Sequence, residues 1–204
     1  MRGVRSITAR PRIEGQREAE ILSAALEVLT EVGYDRLTMD AVAHAARASK
    51  ATLYRRWETK QALVVDAIGT TPLADREVDT GSLRGDLKAA FCGTKARAGN
   101  RDASILAAIL SAMHSDEEFA AEYRAQVLTP KIDQMRQAFE RARARGEVRE
   151  DLDLDICAPA LAGIVLHRSL VLGEPLTEQL VERVLDQIIL PAATCGTDPK
   201  GNPR

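Results

Sequence analysis

Between Ser49 and Lys60 the chain reads SKATLYRRWETK, and its residue types are those that meet duplex DNA. A lysine such as Lys50 reaches O6 and N7 of guanine in the major groove. Ala51 lets the backbone come close or touches a thymine methyl, and Thr52 does either. The hydroxyls of Thr38, Ser49 and Tyr54 and the ammonium of Lys60 suit phosphate oxygens, which fix register rather than sequence. Across 47–60 the charges are Arg47, Lys50, Arg55, Arg56 and Lys60 against Glu58 alone. Of the two adjacent arginines, which face different sides of a helix, Arg55 is the one expected on the DNA side. The same run is also what a solvated helix face looks like, so charge by itself is a weak prior.

For these side chains to act together they must sit on two short helices joined by a tight turn. Thr38 is a suitable N-cap for a helix from Met39 to about Ala46, with Asp40 in its first turn. Ser49 caps a second, about Lys50–Trp57, in which Leu53 and Trp57 share an inward face and Lys50, Ala51, Thr52, Tyr54 and Arg55 are left outward or sideways. That is a helix-turn-helix pattern. A longer helix, about Ile13–Val32, precedes it, ended by Gly33, and Thr59 caps a fourth carrying Leu63, Val64, Ala67 and Ile68.

The rest of the chain is read the same way. A loop covers 72–82, Ser82 opens a helix ending near Gly99-Asn100, and Ala103–Met113 is almost wholly apolar. Ser115 is expected to cap a long helix that Pro130 should kink or split and Gly146 should end. Two final helices span about Leu154–Leu172 and Thr177–Pro191. No period-2 strand appears. The expectation is an all-α fold of about nine helices, divided into residues 1–60 with a basic arm, 61–191, and a disordered tail 192–204. The arm, residues 1–12, holds Arg2, Arg5, Arg10 and Arg12; such arms can enter a minor groove.

Composition sharpens this. The 204 residues carry 28 Lys+Arg and 30 Asp+Glu, net −2. Residues 1–60 hold 11 basic and 8 acidic side chains, and the remainder 17 and 22, so the positive charge belongs to the N-terminal part. Only seven residues are aromatic, which argues against a base-stacking single-strand binder. The longest strictly apolar run, near Leu161–Leu166, is far below the roughly 18 residues of a membrane span, and no signal-peptide stretch opens the chain. A cytoplasmic protein without membrane contact is expected. Cys92, Cys157 and Cys195 with His114 and His167 form no local ligand pair, so no metal or other cofactor is expected. With three scattered histidines no nucleophile–base or paired-acid constellation is recognisable, which disfavours an enzyme.

The stretch Arg17–Ile68, REAEILSAALEVLTEVGYDRLTMDAVAHAARASKATLYRRWETKQALVVDAI, resembles the DNA-binding domain of TetR-family transcriptional regulators. VGY after the first helix, LTMDAVA, SKATLYRRW and the T-K opening the fourth occur in order. Two positions depart from the pattern: Arg47 stands where the turn often has glycine, and Glu58 where many members have proline. The resemblance implies a homodimeric, ligand-responsive repressor that binds a palindromic double-stranded DNA operator and releases it when a small amphipathic or apolar effector binds. Carried over by position, its DNA contacts would be Thr38, Ser49, Lys50, Ala51, Thr52, Tyr54 and Lys60; Arg55 joins them from its side of the helix, and at Arg47 either the turn differs slightly or the arginine gains a phosphate contact that offsets the strain. The alternatives are an activator of the same fold and a sequence-neutral architectural DNA binder.

The resemblance also implies that 61–191 forms an effector-binding and dimerisation domain. Candidate pocket residues are Phe91, Leu106, Ile109, Leu110, Met113, Phe119, Tyr123, Val127 and Met135, with Gln126, His167 and Arg168 as orienting polar groups. The segment Ala160–Leu166 is apolar on most sides, wider than one core stripe needs. A dimer interface is therefore expected at Leu161, Ile164, Val165, Leu172, Leu180, Val184, Leu185 and Ile188.

Overall fold

The computed structural model describes residues 10–69, 79–92 and 100–194, with the side chains of 10–14, 92 and 100–102 excepted. Among these residues there are nine helices and no strand. They are α1 (Arg10–Val32), α2 (Met39–Ala45), α3 (Lys50–Arg56), α4 (Lys60–Gly69), α5 (Leu83–Cys92), α6 (Asn100–Ser115), α7 (117–144), α8 (Leu154–Leu170) and α9 (178–194). Two of them contain a π turn, Arg124–Leu128 in α7 and Leu185–Ile189 in α9.

Side-chain caps set most of the starts. Hydroxyls of Thr38, Ser49, Thr59, Ser82 and Thr177 each accept the backbone N–H three residues on, at 3.1–3.2 Å, satisfying a donor the helix itself leaves unpaired. Gly33 (φ 77°) and Gly146 (φ 78°) take the left-handed conformation that lets α1 and α7 end.

Several expected boundaries move. α1 begins at Arg10, three residues early, because Pro11 fits a helix's first turn, where its missing N–H is no loss. The rest of the arm lies outside the described residues. α2, α3 and α8 end one or two residues short of the expected positions, and Asn100 opens α6. Ser115 is not the cap of α7. Its hydroxyl turns back to the Ser111 carbonyl, 3.1 Å, while Asp116 Oδ1 accepts the Phe119 N–H at 2.9 Å. Pro130 does not split α7. The π turn immediately before it changes the hydrogen-bond register and the helix continues. Residues 192–194 are not a disordered tail but the end of α9, where Ala193 is buried and its carbonyl accepts the Arg149 N–H at 3.1 Å. Residues 195–204 lie outside the described residues, as does 72–78 of the expected loop.

The chain forms two compact units. The first contains α1–α4 and returns for Ala108–Glu122, the end of α6 and the start of α7. Leu29, Leu37, Val42, Leu53, Leu63 and Val64 are at most 1 % exposed and form its centre. The second contains α5, the start of α6 and the chain from Tyr123 on. Its core brings Leu83 and Leu87 of α5 together with Met135 and Phe139 of α7, Leu161 and Val165 of α8, and Leu180 and Leu185 of α9. One buried carboxylate anchors it: Asp86 accepts from the Thr80 N–H and hydroxyl at 2.6 and 2.7 Å and faces Arg145 at 3.5 Å and Arg141 at 3.7 Å.

Candidate nucleic-acid interface

The reading face starts from what α3 buries. Leu53 (0 % exposed) and Trp57 (4 %) point into the first unit, and the Trp57 indole N–H donates to Asp66 at 2.8 Å. With that side fixed, the helix turns Lys50, Ala51, Tyr54 and Arg55 outward, leaving Thr52 half-buried. Tyr54 is 52 % exposed, an aromatic ring held in solvent rather than in the core. Ser49 and Thr52 hydroxyls lie 2.8 Å apart at the start of the helix.

The turn between α2 and α3 explains the missing glycine. Arg47 has φ 50°, a left-handed conformation that costs an L-residue roughly 1–2 kcal/mol. Two backbone bonds hold it there, Arg47 N–H to the His44 carbonyl (3.0 Å) and Ala48 N–H to the Ala43 carbonyl (2.8 Å), the paired bonds of a Schellman helix end. A third contact, from Arg17 of α1 to the Arg47 carbonyl at 2.7 Å, ties the turn to the first helix. The Arg47 side chain is left exposed.

The cations of the face are not equally free. Lys50 Nζ lies 2.6 Å from Asp40 of α2, which pushes the lysine's pKa above its ordinary value through the hydrogen bond and the opposite charge. Arg56 donates twice to Glu18 of α1, at 3.0 and 3.1 Å, and belongs to the scaffold. Lys60 is half-buried, donating to the Tyr34 carbonyl (3.2 Å) and lying 4.2 Å from that ring's centre. Arg47 and Arg55 stand out into solvent. Nothing in the structure explains Glu58.

Residue spacing gave no sign of a second polar cluster in this unit. Asp116, which caps α7, accepts the Tyr34 hydroxyl at 2.8 Å and the Gln61 amide at 3.2 Å through its other oxygen. The Phe119 N–H, then the Tyr34 hydroxyl, hold its carboxyl below the ordinary aspartate value. Burial, then Asp116, raises the Tyr34 hydroxyl. Tyr34 and Phe119 rings pack 4.7 Å apart beside it. Its members lie 55 and 82 residues apart in the chain, beyond any local motif.

The expected pocket residues divide between the units. Ile109 and Phe119 are buried in the first, where Met113 is half-buried and Leu110 is 49 % exposed. Tyr123, Val127 and Met135 are buried in the second, where Phe91, Leu106 and Arg168 are half-buried and Gln126 and His167 exposed. Arg168 pairs with Glu174. The expected interface needs correction. Leu161, Val165, Leu180, Val184 and Leu185 are at most 4 % exposed because they fill the protomer's own core, and Ile164 is half-buried against it. Leu172 and Ile188 are exposed, and the apolar residues most open on α8 are Ile156 (68 %) and, just past its end, Val171 (69 %).

A capped outward helix over a buried Leu-Trp face, joined by a tight turn to a second short helix, defines a helix-turn-helix DNA-binding protein. Family models agree along most of the chain: residues 21–67 match bacterial regulatory proteins of the tetR family, and 77–188 match the tetracyclin repressor-like C-terminal domain. The chain belongs to the TetR family of transcriptional regulators. It is 34% identical over 176 residues to a DNA-binding transcriptional repressor TetR of Mycobacteroides abscessus, covering 85% of this chain and 92% of that one. It is 32% identical to the HTH-type transcriptional regulator YdeS of Bacillus subtilis, over 87% and 90%. The crystal structure of the TetR family transcription regulator SCO0332 superposes with a TM-score of 0.61 at 30% identity, covering 85% and 97%. Among the described residues no helix is long and apolar enough to cross a membrane.

Proposed function

We propose that this regulator is a repressor that binds a palindromic operator as a homodimer and leaves it when a small apolar or amphipathic effector binds. The observation that carries the DNA part is the outward face of α3, where Lys50, Ala51 and Tyr54 stand exposed over buried Leu53 and Trp57. On this reading Lys50 reads a base edge. Ser49, Tyr54, Thr38, Arg47 and Arg55 set register on phosphates, and Lys60 contributes charge from its seat on Tyr34.

The dimer would form through α8 and α9. Ile156, Ala160, Gly163 and His167 recur at helical spacing on one face of α8, continued by Val171 just past its end, and Leu172 between the helices and Ile188 of α9 add exposed apolar area. The effector would act on α7, where the π turn holds Gln126 and Val127; such turns recur at functional sites. Within the reading unit, Asp116 before the start of α7 is held by Tyr34 and Gln61, which share its oxygen. Release then requires the effector to favour the conformation that does not fit the operator.

The test is selection of binding sites from a randomised duplex library, followed by affinity measurements on the enriched sequence. Lys50→Ala should lose about 10–100-fold on that sequence, the worth of one good base contact. Tyr54→Phe, which removes one phosphate contact, should lose only a few-fold. Unchanged affinity and preference in both variants would overturn the reading.

A further inference from the structure

Asp40 is an acid on the face that would meet phosphates, where bare charge opposes binding. Its place in the first turn of α2 suits the helix dipole, yet its carboxylate is turned to Lys50, 2.6 Å away across the helix pair. The two side chains are 58 % and 64 % exposed, so water competes for both and the pair opens at a cost of a few-fold at most. A lysine on a flexible four-carbon stem contacts any phosphate it can reach, whatever the sequence. Tethered to Asp40, it adds little to binding on random DNA.

We propose that Asp40 is a positioning residue that sharpens sequence discrimination: it holds the Lys50 ammonium at the start of α3, in register for a base edge, and draws it away from the phosphates. This rests on the reading of α3 as the base-reading helix. The tether lowers affinity for random duplex more than for the cognate site, because an ammonium held at the start of α3 meets a base edge in fixed register, whereas a free one follows the phosphates of any duplex.

The experiment measures dissociation constants of the full chain for a duplex enriched by the wild type and for random duplex of equal length, across a salt series. Wild type, D40N, K50A, the D40N/K50A double variant and D40E are compared. D40N should bind random duplex about 2–5-fold tighter and steepen the salt dependence by about 0.9 in log–log slope, one further phosphate neutralised. The ratio of cognate to random affinity should fall, D40E should restore it, and in the K50A background D40N should leave that ratio unchanged, raising both affinities alike by removing a bare charge. A ratio that D40N leaves unchanged, both affinities rising alike, would mean simple charge repulsion and overturn the proposal, as would no change of any kind in D40N. If the wild type enriches no sequence, the base-reading role of α3 falls first and this proposal with it.

Discussion

Positive charge in 47–60 looks like five cations against one acid when counted along the chain. Counted in space it is different, because α2 brings Asp40 to Lys50 and α1 brings Glu18 to Arg56. The residue types of the reading face were legible from their helical spacing, since Leu53 and Trp57 fix which side is buried. The ion pairs were not, because their partners lie 10 and 38 residues away. Arg47 shows the same limit from the other side. The glycine-like turn position was visible, and the structure shows the left-handed backbone it requires, held by the Arg17 contact. Arg47→Gly should therefore raise thermal stability by about 0.5–1 kcal/mol while weakening operator binding by one phosphate contact. Calorimetry and a salt-dependent affinity measurement check the two effects separately. A variant no more stable than wild type would show that the turn carries no strain.

At the level of elements, caps were legible where the hydroxyl precedes an amphipathic run, as at Thr38, Ser49 and Thr59, whereas Thr177, expected as the first residue of the last helix, is its cap. The Ser115 expectation failed because two adjacent residues can both cap, and the choice fell to Asp116, whose second oxygen has partners elsewhere in the unit. Neither π turn was foreseeable, since a π turn differs from an α turn by one residue of register and leaves no compositional mark. Asp116→Ala removes a cap and leaves the Tyr34 hydroxyl and Gln61 amide unpaired. It should cost about 1–3 kcal/mol, read as an earlier unfolding midpoint in urea. The pH dependence has a definite sign. The folded carboxyl titrates below the unfolded value of about 3.9, so its contribution is full above that pH and fades as pH falls through the lower folded value. Asp116→Asn should lose that part of the acid-unfolding profile, and an unchanged profile would contradict the assigned partners.

For the whole molecule, the all-α class and the helix-turn-helix were open to sequence reading because helical period and cap residues are local. Which face of α8 stays outside was not, because the helix is apolar on more than one side and only packing decides which side the protomer uses. Leu161 and Val165 went to its own core, leaving Ile156 and Val171 outside. Charge on that outer face should separate assembly from folding. Ile156→Glu with Val171→Glu should keep the helical circular dichroism while shifting sedimentation toward monomer by at least tenfold in dissociation constant. A variant as dimeric as the wild type would move the interface elsewhere. Loss of the dimer should also weaken operator binding, since two reading helices about one turn of B-DNA apart, roughly 34 Å, act together. Whether α3 reads a two-fold symmetric operator is decided by sequencing what the wild-type chain enriches from a randomised duplex library. The enriched sequence should be an inverted repeat whose preference at one base pair per half-site relaxes in Lys50→Ala; enrichment of no sequence, or of one that Lys50→Ala enriches identically, would overturn this role of α3.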